Sequence, residues 1–107
     1  MNFGDIAKMK EMMGQARQMQ EEMETRLSAT VVEASAGGGM VTARMNGRKE
    51  LLRLKIDPNA LTATTASDIE MLEDLITAAV NEAGRKADEA MKSSMSGLLG
   101  GLNLPGM

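Results

Sequence analysis

The sequence predicts an α+β fold of order α-β-β-β-α, with two long helices flanking a three-stranded antiparallel sheet. Two changes of hydrophobic period and one turn signal predict it. Apolar residues recur at spacings of three and four near both ends of the chain, and they alternate in between. The dipeptide Asn46-Gly47 then divides the alternating stretch into a hairpin.

The first helix is expected over residues 4–26. Asn2 and Asp5 supply a capping pair, and good helix formers (Met, Gln, Glu, Lys, Arg) fill most of the segment. Ile6, Met9, Met12, Met13, Ala16, Met19, Met23 and Leu27 share one face. Residues 30–35 and 40–45 read as strands joined by a turn at Gly37-Gly38-Gly39. No Lys-Ser or Lys-Thr comes after those glycines and no helix opens there, which favours a turn over a phosphate cradle. Residues 51–56 form the third strand. An even-length turn puts Val41, Ala43 and Met45 on one face with Leu52, Leu54 and Ile56, and Arg44, Arg53 and Lys55 on the other.

Asp57-Pro58 stops the sheet, because proline cannot donate to a ladder and suits the first turn of a helix. After a short connection, Ser67 with Glu70 reads as a capping box opening the second long helix, to about residue 95. Its buried stripe is Ile69, Leu72, Ile76, Ala79, Ala83, Ala87 and Ala90. Gly84 inside it costs about 1 kcal/mol relative to alanine. Residues 1–96 thus form one domain, and 97–107 read as a flexible Gly/Leu-rich tail.

Composition excludes several chemistries. The 107 residues contain no cysteine and no histidine, which removes disulfides, Ser/His and Cys/His nucleophiles and the usual zinc ligands. Catalysis is not expected, and neither a cofactor nor a small-molecule substrate is implied. Phe3 is the only aromatic residue, so base stacking on single strands is a poor fit. No apolar run approaches the ~18 residues of a membrane span, and a cytosolic protein without a membrane partner is expected. Long helices overhang so small a sheet. Their Met and Ala stripes are complementary in size, and burying them between two copies predicts an intertwined homodimer.

Charge is distributed unevenly around a net −3. Between Met40 and Lys55, five cations (Arg44, Arg48, Lys49, Arg53, Lys55) stand against Glu50 alone. Between Asp68 and Lys92 the acids outnumber Arg85, Lys86 and Lys92. A basic sheet face is the site these patterns single out. Its bland alternative is a solvated face with edge-protecting charges.

Five blocks also carry a resemblance. They are Met45-Asn46-Gly47, Lys55-Ile56-Asp57-Pro58, Glu70-Met71-Leu72-Glu73-Asp74-Leu75-Ile76, Ala78-Ala79-Val80-Asn81-Glu82-Ala83 and Gly100-Gly101-Leu102-Asn103-Leu104-Pro105-Gly106. In this order, over nearly the whole chain, they resemble the YbaB/EbfC family of bacterial nucleoid-associated DNA-binding proteins. The resemblance implies a homodimer with projecting helices that binds duplex DNA in the nucleoid. Candidate contacts are Arg44, Arg48, Lys49, Arg53 and Lys55 of the sheet region, Arg85 and Lys86 of the second helix, and Lys8, Lys10 and Arg17 of the first. A protein-interaction scaffold, using the acidic helix and the tail, is the alternative.

Overall fold

The computed structural model describes residues 2–61 and 65–101. Along the chain lie α1 (Phe3–Ala29), β1 (Val31–Ala36), β2 (Val41–Asn46), β3 (Leu51–Ile56), a 3-10 turn at Pro58–Leu61 and α2 (Ala66–Gly101). The α-β-β-β-α order is as expected. Asn2 opens α1, its Oδ1 accepting from the Asp5 N–H at 3.0 Å. The helix stops at Thr30, whose N–H bonds back to the carbonyls of Arg26 and Leu27. There the β-branched run Thr30-Val31-Val32 favours extended backbone.

The sheet is antiparallel in the order β1-β2-β3. Val41 lies opposite Ile56 and Ala43 opposite Leu54, as the alternation requires. The register then shifts: Met45 faces Leu51 rather than Leu52. The turn explains the shift, because it is not the even-length one expected. Lys49 N–H bonds to the Asn46 carbonyl, and Asn46 N–H to the Glu50 carbonyl, both at 3.0 Å. Lys49 has φ 64, so a three-residue loop closes on a left-handed residue and adds a bulge.

The Asn-Gly pair does a different job from the one its sequence suggests. Asn46 is buried, with Oδ1 accepting from the Arg48 and Glu50 N–H groups at 3.0 Å and Nδ2 donating to Glu50 Oε1 at 2.8 Å. Gly47 is absent from the positive-φ residues; space is what it provides. Its N–H bonds to the Leu27 carbonyl at 2.9 Å, and a Cβ there would lie 2.9 Å from that same oxygen. The hairpin is thereby pinned to the end of α1. The Gly37-Gly38-Gly39 turn does use positive φ, at 65, 68 and 95.

α2 lies across β1 and β2. Ala79, Ala83 and Ala87, fully buried, seat on Ala34, Val41, Ala43 and Met45. The alanine stripe is as expected, but its partner is the sheet and not the methionines of α1. Small side chains on both surfaces let helix and sheet approach closely. α1 is left uncovered: residues 2–22 are exposed, and Leu27 is its one buried residue.

Both helices leave the sheet at its hairpin end. α1 arrives there beside Gly47, while α2 runs from Leu75, beside Gly37, to Asp88, beside Lys49. The molecule measures 73 × 28 × 18 Å with a radius of gyration of 21.1 Å. A compact chain of this length would have about 13 Å.

Two boundaries of α2 differ from expectation. Its capping box is Thr65 with Asp68, not Ser67 with Glu70. Asp68 N–H donates to Thr65 Oγ1 at 3.3 Å and Thr65 N–H to Asp68 Oδ2 at 3.4 Å. At the other end the helix continues through residues 97–101, into the segment expected to be tail. An established helix propagates at low cost across Gly97 and the helix formers Leu98 and Leu99, and Gly100 and Gly101 fall at its C-terminal end, where glycine is favoured. Residues 102–107 lie outside the described residues.

Candidate nucleic-acid interface

Strand alternation sends the apolar residues of the sheet toward α2 and the polar ones to its open side. Register aligns these polar residues in two cross-strand rows. One row is Glu33, Arg44 and Arg53, and the other is Ser35, Thr42 and Lys55. Glu33, Thr42, Arg44, Arg53 and Lys55 line an open depression of about 170 Å³. Three expected contact residues, Arg44, Arg53 and Lys55, therefore meet on one surface.

The rows differ in their internal bonding. Arg44 donates through Nε (3.3 Å) and Nη2 (3.1 Å) to Glu33 Oε2, a pair about half exposed. Arg44 also stands directly opposite Arg53, a like-charge pairing that is unfavourable without a nearby anion. Glu33 is that anion. In the other row, the Ser35 and Thr42 hydroxyls bond at 2.9 Å. Among the described residues, neither Arg53 nor Lys55 has an ion-pair partner.

The remaining expected contacts lie elsewhere. Arg48 is exposed in the β2–β3 loop, near Glu21 and Glu24 of α1. Lys49 reaches across α2 to Asp88 at 3.4 Å, its Cε passing 3.5 Å from where a Gly84 Cβ would be. The glycine that looked unfavourable in a helix thus lies under a lysine stem. Arg85 is held by Glu82 one turn away, at 2.9 and 2.6 Å. Lys86 donates to the Glu33 backbone carbonyl at 2.8 Å, on the edge strand β1. Lys8, Lys10 and Arg17 are exposed along α1, with no ion pair among the described residues. The single basic cluster read from sequence divides into a sheet face and a loop.

Sequence reasoning missed Glu33 and the anchoring of Lys86. Glu33 could have been found, since it points outward from an alternating strand that pairs with the one carrying Arg44. Lys86 gave no such signal. Among the described residues, no group of acidic side chains could hold a metal ion, and no helix is long and apolar enough to cross a membrane.

Comparison with known proteins accords with this architecture. A nucleoid-associated protein of Acidobacterium capsulatum is 64% identical over 100 residues, covering 92% of this chain and 93% of its own. One from Koribacter versatilis is 53% identical over 96 residues, covering 90% and 92%. The crystal structure of an uncharacterized protein from Helicobacter pylori shares the fold, with a TM-score of 0.68 at 25% identity over 92% of this chain and 98% of that one. Residues 4–102 match a family of DNA-binding proteins, not of enzymes. Over almost its whole length, then, the chain belongs to the YbaB/EbfC DNA-binding family.

Proposed function

We propose that this protein acts in the bacterial nucleoid, binding duplex DNA as a homodimer through contacts to phosphates. Family membership and the names of the two similar nucleoid-associated proteins support the nucleoid role. The observation that carries the phosphate reading is the open sheet face, where Arg53 and Lys55 stand exposed and, among the described residues, without carboxylate partners. A cation already neutralised from within releases no counterion when it meets a phosphate; a free one does. Lys8, Lys10 and Arg17 on the projecting α1 meet the same criterion.

The homodimer reading rests on uncovered apolar surface. Phe3, Met12 and Met13 of α1 are 91%, 68% and 64% exposed. On the β3 side of the sheet, Leu51 and Leu52 are about half exposed as well. A single chain of this shape cannot cover them, and a second copy brings matching surface.

Fluorescence anisotropy on labelled duplex DNA, from about 50 to 300 mM salt, tests the reading. Affinity is expected to fall log-linearly with salt. The variants R53E/K55E and K8E/K10E/R17E are each expected to weaken binding about tenfold or more and to flatten the salt slope. Affinity indifferent to salt overturns the phosphate mechanism. A variant that binds like the parent removes its surface from the site.

A further inference from the structure

We infer that Glu33 acts as an internal stand-in for a DNA phosphate, holding Arg44 in reserve and setting how tightly the sheet face grips its polyanion. The inference rests on the phosphate-binding role proposed for that face. Glu33 is the one carboxylate lining the depression, beside Arg44, Arg53 and Lys55. Its Oε2 takes both Nε and Nη2 of Arg44, the kind of forked donation a guanidinium offers a phosphate oxygen. The pair is about half exposed on each side, so solvent and ligand can reach it.

The strand beneath is held in place. Lys86 donates to the Glu33 backbone carbonyl at 2.8 Å, tying this residue to α2. The backbone of Glu33 is therefore held in the row, directly across from Arg44, with Arg53 next along it. The other two ion pairs among the described residues, Lys49–Asp88 and Arg85–Glu82, lie off this face and leave its charge unchanged. A phosphate that takes the Nε and Nη2 edge of Arg44 displaces Glu33, and Arg44 then gives up an internal anion rather than a counterion. Half-exposed pairs are weak enough to exchange in this way.

The test is a double-mutant cycle of E33Q and R44Q, read by anisotropy on the same duplex DNA across salt. E33Q keeps the shape and removes the charge. It is expected to tighten binding about fivefold at low salt. It should also steepen the log–log salt slope by about one. R44Q alone should weaken binding only slightly, and in the E33Q background it should abolish the gain. A gain that survives R44Q is a general charge effect and overturns the inference. Unchanged affinity and slope in E33Q overturn it too, while R53E/K55E still weakening the parent would leave the face's role intact. Loss of the sheet face itself would show separately, as R53E/K55E binding like the parent. Thermal denaturation of each variant confirms that the sheet has not come apart.

Discussion

Gly47 and Gly84 show how differently one residue type can be used. A Cβ at Gly47 would press to 2.9 Å from a backbone oxygen and 3.2 Å from the Cα of Leu27, neither of which can move aside. At Gly84 it would meet the flexible Lys49 stem at 3.5 Å, an ordinary contact. Gly47→Ala is therefore expected to destabilise by about 2 kcal/mol through overpacking. Gly84→Ala should stabilise by about 1 kcal/mol through helix propensity. Urea denaturation at one fixed protein concentration measures both, and a neutral Gly47→Ala would refute the close approach. Asn46 belongs at the same scale. Its side chain satisfies two backbone N–H groups and the Glu50 carboxylate, so Asn46→Ala should cost about 2 kcal/mol.

At the scale of elements, the start of α2 separates a cap from a look-alike. Two candidate boxes overlap in the sequence, and both have an acceptable spacing. Only the Thr65–Asp68 pair makes reciprocal bonds. Thr65→Ala should cost about 1 kcal/mol and fray the first turn, while Ser67→Ala should cost far less. Amide hydrogen exchange over residues 66–70 reads the difference directly. Equal effects from the two substitutions would mean that neither side chain caps the helix. The β1 edge is a second case. Lys86 occupies a carbonyl of that strand, a common means of blunting a sheet edge.

At the scale of the whole molecule, length and covering surface are mismatched. The chain extends 73 Å, and an exposed methionine stripe runs along an arm buried at only one end. Light scattering at micromolar concentration is expected to report twice the 11.4 kDa of one chain. Replacing Met9, Met12 and Met13 together by glutamate should reduce the mass to a single chain. The apolar residues of α2 and the sheet would keep their secondary structure by circular dichroism. A parent protein that stays monomeric and folded would refute the homodimer and leave the stripe without an explanation.

Much of this arrangement is legible in the sequence. The order of elements, the two faces of the sheet and the Ala79–Ala83–Ala87 stripe all come from period. Side-chain direction on a helix or strand is a local matter, set by backbone geometry within a few residues. Three readings failed locally, at the β2–β3 turn and at the two ends of α2, where alternative turns and caps differ by a residue or two; the others concern distance through space. Nothing local says that the alanine stripe meets the sheet and not the methionines, or that Lys49 crosses Gly84 to reach Asp88. Likewise only the fold decides that Glu33 bonds Arg44 rather than Arg53, the next cation in its row, so that among the described residues Arg53 and Lys55 have no ion-pair partner. Alternation along the chain determined which residues share a surface, because it repeats every two or 3.6 residues. Which surfaces touch, and which charges are already answered, was decided by tertiary packing, because those contacts join residues far apart in the chain.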